Sequence, residues 1–157
     1  FFKQKTAYEI VDCDWSSDVC SSDLVSNAKT LAQSLLDEGL TLVTGGTDNH
    51  LMIIRLGDSG PTGKEVARAM ERAGLVANAN TVPGETRGAF QTSGVRVGTP
   101  AATTFGFGPD EFRTIGKLIA GIVRDPSNAD VVKATAGAVR ELCQAVETRR
   151  ERTFAHS

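Results

Sequence analysis

Hydrophobic spacing along the chain changes period several times, and each change marks an element. Between residues 26 and 38, Ala28, Leu31, Ala32, Leu35 and Leu36 recur at helical intervals, with Ser26 or Asn27 placed to cap the start and Gly39 to end it. Leu40–Thr44 is short and rich in β-formers, and Leu51–Leu56 is a nearly continuous apolar run, so both predict strands, separated by the turn cluster Gly45-Gly46-Thr47-Asp48-Asn49. Thr62-Gly63-Lys64-Glu65 has the form of a capping box. The helix it opens buries Val66, Ala67, Ala69, Met70 and Ala73 and stops at Gly74. Leu75–Ala77 predicts a further strand, 78–93 a long polar loop, and Gly94–Gly98 a strand with one charge in it. Pro109 opens a helix to about Val123, with Phe112, Ile115, Ile119 and Val123 on one face. Asp125-Pro126 breaks it, Ser127 is placed to cap a last helix to about Thr148, and the charged remainder is expected to fray. The order α-β-β-α-β-loop-β-α-α predicts an α+β layer, a small sheet covered by helices.

Composition changes this picture at one end. The only Trp and the only Tyr, with Cys13 and Cys20, precede Leu24. This stretch carries two lysines against five carboxylates, whereas 15 basic and 14 acidic residues follow it. Ser16–Asp23 has neither helical nor strand period. The string FFKQKTAYEIVDCDWSSDVCSSDL resembles a translated sequencing-adapter fragment, so residues 1–24 are set apart as non-native or disordered and 25–157 are read as the domain.

Charge and cysteine usage exclude several classes. The net charge of −2 gives no basic footprint for nucleic acid or an acidic membrane. No apolar run approaches the ~20 residues of a membrane span. The start shows no secretory pattern, which leaves the cytoplasm as the expected compartment. Cys13, Cys20 and Cys143 do not form a disulfide framework, and with His50 and His156 far apart no zinc spacing exists.

Three places remain for chemistry. Arg96, between two valines, needs a partner or solvent for its charge; its planar fork suits a carboxylate, and an edge-strand Arg facing water is the plain alternative. His50 follows Thr47-Asp48-Asn49 and reads as structural before it reads as acid-base, while Asp48 and Asn49 fix the turn. The 78–93 loop gathers Asn78, Asn80, Thr81, Glu85, Thr86, Arg87, Thr92 and Ser93, enough to frame a polar ligand or simply to face water. Cys143 lies inside the last helix without a nearby His and reads as a packing residue.

LVTGGTDNHLMIIRL (42–56), GKEVARAMERAGLVANANTVPGETR (63–87) and FQTSGVRVGTPAATTFGFG (90–108), preceded by NAKTLAQSLLDEG (27–39), together resemble the serine hydroxymethyltransferase family. That resemblance implies the C-terminal small domain of the aspartate-aminotransferase-like (fold type I) pyridoxal-phosphate enzymes. It further implies interconversion of serine and glycine with transfer of a one-carbon unit to tetrahydrofolate, in a homodimer or tetramer. It assigns Arg96 to the carboxylate of the amino acid, and Asn80 with Gly88-Ala89-Phe90 to the folate wall, where the family has Ser-Pro-Phe. Ala79 and Phe105 also depart from the family pattern, which carries Lys and Arg there. The family's cofactor lysine sits in a Thr/Ser-rich His-Lys context. Lys29, Lys64, Lys117 and Lys133 have no such context and fall on predicted helices, so the chain alone is expected to be inactive. Two alternatives stand beside this reading: a small-carboxylate-binding module, and a non-catalytic module that docks on an enzyme.

Overall fold

The computed structural model describes residues 21–88 and 90–155. Cys13, Cys20, Ala89 and His156 therefore lie outside the described residues. Helix α1 spans Ser21–Asp37. It starts five residues before the expected 26–38, so Ser21 to Leu24, set apart on composition, are its first turn. Asn27 is consequently inside the helix and does not cap it. It is 5% exposed, and its Nδ2 donates to Thr103 Oγ1 (3.1 Å) and to the Phe107 carbonyl (3.2 Å). The helix closes as the sequence predicts: Gly39 has φ +81°, and Leu40 N–H reaches the Leu35 carbonyl at 3.0 Å.

Strands β1 (Thr41–Leu42) and β2 (Leu51–Arg55) follow, then α2 (Gly63–Arg72), β3 (Asn78–Asn80) and β4 (Gly94–Gly98). The sheet is antiparallel throughout, in the order β1-β2-β4-β3. The capping box is present: Glu65 N–H donates to Thr62 Oγ1 (3.2 Å), and Thr62 N–H donates to the Glu65 carboxylate (2.8 Å). The Thr62 N–H first, and then the Thr62 hydroxyl, which donates to the same carboxylate oxygen at 2.8 Å, draw the Glu65 carboxyl below its ordinary range.

Two expectations fail between α2 and β4. The strand predicted at 75–77 lies three residues later, at Asn78–Asn80. Leu75 and Ala77 pack against the core without pairing, and it is 78–80 that meets the free edge of β4. The polar character of Asn-Ala-Asn hid the pairing, because both asparagines point away from the core. A short helix α3 (Pro100–Phe105), unforeseen, then begins with Pro at its first position and ends on Gly106 at φ +110°.

Helix α4 (Pro109–Arg124) matches its prediction closely, whereas α5 (Ala129–Ala155) does not. Its cap is Asn128, whose Oδ1 accepts from Asp130 N–H (3.0 Å) and Val131 N–H (3.3 Å), in place of Ser127. The tail does not fray within the described residues. Arg149 donates to Glu111 Oε1 and to the Gly106 carbonyl, both at 2.9 Å, and Arg150 donates to the Phe105 carbonyl at 3.0 Å while its guanidinium lies 5.5 Å from the Phe105 ring. A helix end read as solvated charge is thus fastened to the end of α3. Phe105 is half-buried here, tilted against Phe107 at 5.8 Å.

The helices all lie on one face of the sheet, so the α+β expectation holds. Leu42, Met52, Ile54, Val95 and Val97 point into a core completed by Leu31 and Leu35 of α1, Val66 and Met70 of α2, and Phe112, Ile119 and Ile122 of α4. Each such burial contributes roughly 1.5–3 kcal/mol before the entropy of ordering the chain is subtracted. Helices α1 and α4 approach closely because Gly116 has no side chain. A Cβ there would lie 2.3 Å from Ser34 Oγ, and that hydroxyl donates to the Arg113 carbonyl at 2.8 Å. Among the described residues no helix is long and apolar enough to cross a membrane.

Candidate functional site

Strand alternation decides which side chains the helices leave uncovered. With Val95 and Val97 turned inward, Arg96 must point out of the opposite face. Register places it directly opposite Ile53 on β2 and Asn78 on β3, with Asn80 two residues along the same side and opposite Gly94. Leu51, Ile53 and Arg55 complete this outer face. They are half-buried, against 2% exposure or less for Met52 and Ile54 on the inner one. Among the described residues the Arg96 guanidinium has no hydrogen bond and no ion pair. Its charge therefore stands without a protein partner, between Ile53 on one side and Asn78 on the other.

The loop from Thr81 to Ser93 leads from Asn80 to the start of β4 and is tightly organised. The Glu85 carboxylate accepts from Ser93 N–H (2.7 Å), Ser93 Oγ–H (2.6 Å) and Arg87 N–H (3.0 Å). These donors, the Ser93 hydroxyl first, hold the Glu85 carboxyl down to about 2. Arg87 donates to the carbonyls of Pro61 (2.9 Å), Asp58 (2.6 Å) and Gly60 (2.6 Å), tying the loop to the turn before α2. Arg55 does the same from the sheet, through the Pro83 carbonyl at 2.6 Å. Thr92 sits at φ +46°, a region β-branched residues avoid, and its buried Oγ1 has no hydrogen-bond partner.

Two glycines permit the close approach of this loop to its neighbours. A Cβ on Gly63 would lie 2.3 Å from the Gly94 carbonyl oxygen and 2.4 Å from Thr92 Oγ1. One on Gly94 would lie 2.7 Å from Val82 Cγ1. Neither restriction was visible in the sequence, since it depends on which backbone passes by.

The residues singled out from sequence divide as follows. Arg96 and Asn80 share the outer face, Asn80 half-buried. Phe90 is 86% exposed on the loop. Gly88 is exposed, its carbonyl accepting from Gln91 N–H at 2.8 Å and Thr92 N–H at 3.3 Å. Ala79 is exposed on the edge strand. His50 is exposed, and its backbone does the structural work: its carbonyl accepts from Thr99 N–H (3.0 Å). Asn49 Oδ1 accepts from Leu51 N–H (2.9 Å), as a turn-fixing residue should. Burial, and then the charge of Glu147, push the Cys143 thiol up, which suits a packing residue.

A covalently held aldehyde cofactor needs a lysine beside Arg96. Lys29, Lys64, Lys117 and Lys133 fall on helices, as predicted; all four are exposed, and none lies on the outer face. The described residues therefore do not fit that group. They also contain no cluster of metal-ligating side chains. Two shallow depressions, of about 630 and 370 Å³, lie along α5 and between α2 and Pro126. Neither touches Arg96.

Comparison with known proteins matches residues 11–119 to the serine hydroxymethyltransferase family model, starting inside the stretch set apart on composition. Curated relatives carrying that name include one from Haloquadratum walsbyi, 51% identical over 120 residues, and one from Haloarcula marismortui, 52% identical over 120 residues. Each alignment covers 75% of this chain and 29% of the relative. A third, from Acidiphilium cryptum, is 47% identical over 126 residues, covering 76% and 29%. The chain thus spans about 29% of the length of these relatives.

Proposed function

The chain belongs to the serine hydroxymethyltransferase family, and from that premise we propose that it is the C-terminal small domain of a fold type I enzyme whose amino-acid substrate is oriented by Arg96. The enzyme would interconvert serine and glycine and pass the one-carbon unit to tetrahydrofolate, as a cytoplasmic homodimer or tetramer. The observation that carries this reading is the unpaired Arg96 guanidinium on the uncovered face of the sheet, beside Asn78 and Asn80.

Arginine fits the role. It stays charged, and two parallel N–H donors hold a carboxylate in one plane and so orient the rest of the amino acid. The low polarity contributed by Leu51 and Ile53 strengthens that bond once a covering surface excludes water. Asn80 and Phe90, with Gly88 and Ala89 beside them, form part of the folate wall in this reading. The two residues without side-chain donors leave Asn80 as its polar contact. Pyridoxal phosphate has no lysine here, so no chemical step is assigned to these residues. The domain binds and orients, and the isolated chain does not turn over.

The test uses a complete enzyme, in which residues 25–157 replace the matching segment of a haloarchaeal relative. Arg96→Lys keeps the charge and loses the fork. It is expected to raise KM for serine roughly 30-fold, the equivalent of about 2 kcal/mol. An unchanged KM would refute the assignment. Calorimetry on the isolated chain addresses the alternative of a free-standing carboxylate module. Measurable glycine binding, lost in Arg96→Ala, would favour that module over the fragment reading.

A further inference from the structure

The loop joining Asn80 to Gly94 is 13 residues long, and a connection of that length does not by itself set where the next strand begins. Here the start of β4 is fixed from two sides. Leu56 N–H donates to the Ser93 carbonyl at 2.8 Å, and Gly63 N–H donates to the Thr92 carbonyl at 2.9 Å. On the other side, both polar hydrogens of Ser93 go to one carboxylate, that of Glu85, which also takes Arg87 N–H. Glu85 N–H in turn donates to the Val82 carbonyl at 3.1 Å, and Val82, 6% exposed, lies over Gly94. The carboxylate is thus the hub through which the loop is pressed onto the first residue of the strand.

We infer that Glu85 is a positioning residue for Arg96 and Asn80: by holding Ser93 through two bonds it fixes where the start of β4 lies against β2 and β3. The inference rests on the reading of Arg96 as the carboxylate ligand. The burial of Val95 and Val97 already excludes a slip of one residue, which would turn Arg96 into the core; what Glu85 adds is the exact placement of the strand's first residues, and with it that of Arg96 against Asn78 and Asn80. Thr92, at φ +46°, is the residue that would relax if the hold on Ser93 were released. Glu85 touches no reacting atom in this scheme; it acts through Ser93 alone. Glutamine cannot replace it fully, because the amide offers one acceptor oxygen and sets its NH2 group either against Ser93 N–H or against Ser93 Oγ–H and Arg87 N–H.

The experiment has two arms. In the full chain, backbone and side-chain NMR spectra compare wild type with Glu85→Gln and Glu85→Asp. The shifts in Glu85→Gln are expected to run from Ser93 through Val95, Arg96 and Val97 to the side-chain NH2 of Asn80, leaving α4 and α5 unmoved, with Glu85→Asp intermediate. Shifts confined to Glu85, Arg87 and Ser93 overturn the inference. In the complete enzyme, Glu85→Gln is expected to raise KM for serine roughly tenfold with kcat kept within about twofold, and Glu85→Asp to recover part of it. A change in kcat with KM constant, or no change in either, also overturns it. Arg72→Gln, which loses a bond to the Pro126 carbonyl far from this face, is expected to lower Tm without moving KM. If Glu85→Gln does not fold, Ser93→Ala removes one of the three bonds and carries the same two readouts. If Arg96→Lys leaves KM unchanged while the NMR shifts still reach Arg96, the ligand reading fails and the positioning role of Glu85 survives.

Discussion

Replacing Gly63 by alanine adds one methyl group where α2 meets β4, and its cost follows from the contacts described above. The new Cβ would lie 2.3 Å from the Gly94 carbonyl oxygen and 2.4 Å from Thr92 Oγ1, whereas ordinary contacts begin near 3.4 Å. One neighbour is backbone and the other a buried hydroxyl on a strained residue, so neither swings aside cheaply. Relief requires α2 and the start of β4 to separate by about 1 Å. Overpacking of this kind costs ~1–3 kcal/mol. The separation also stretches the 2.9 Å bond from Gly63 N–H to the Thr92 carbonyl, adding ~1 kcal/mol. Alanine restricts the unfolded chain more than glycine and returns ~0.4–1 kcal/mol. The net expectation is a loss of about 1–3.5 kcal/mol, read as a fall of roughly 3–12 °C in Tm for a chain of this size. Thermal unfolding followed by circular dichroism measures it, with urea titration giving the free energy separately. A Tm equal to or above that of the parent would mean that the contact between α2 and β4 is loose, and the account of how the start of β4 is fixed would fall with it.

Other expectations follow from single features. Glu85, with its carboxyl held at about 2 in the fold against 4.5 ordinarily, favours the folded loop fully above pH 4.5 and loses that contribution as pH falls towards 2; carboxyl NMR titration should give a midpoint near 2, and one near 4.5 would contradict the three-bond arrangement. Phe112, 1% exposed and packed 6.3 Å from the Phe107 ring, should cost ~3–5 kcal/mol as Phe112→Ala, and a loss under 1 kcal/mol in urea titration would show the core to be misplaced. Arg149→Gln with Arg150→Gln should speed amide exchange over the last two turns of α5 while changing Tm by less than about 2 °C, since Arg149 is 55% exposed; unchanged exchange would mean that these bonds do not hold the helix end.

Much of the architecture was legible because it is written in local signals. The capping box at Thr62–Glu65, the glycines that end α1 and α2, and the proline that opens α4 each act within a few residues, and each was found where predicted. What the sequence hid depends on partners distant along the chain. β3 reads as loop because its pairing is set by the free edge of β4. Asn27 reads as a cap because its true acceptors, Thr103 and Phe107, are some 80 residues away. The end of α5 reads as frayed because Glu111 and the carbonyls ending α3 receive its arginines. The same division holds for the candidate site. Arg96 stood out as a charge between valines, and the pattern alone put Asn80 in a loop; only register sets the two on one face. The hub role of Glu85 lay hidden among eight polar residues of the loop, because nothing local distinguishes a carboxylate that holds a strand from one that faces water.

The two outermost strands are the shortest, β1 with two residues and β3 with three. An added strand would find a row of donors and acceptors too brief to pair with, and Arg55 already ties the neighbouring loop across one end. Lateral growth of the sheet is thereby blocked. In the proposed function the amino acid would come down onto the sheet from above, where side chains and not backbone groups do the recognising. Under the proposed function, selectivity would reside in Arg96 with the asparagines on one side of it and Leu51 and Ile53 on the other, open to substitution without disturbing the hydrogen-bonded ladder underneath.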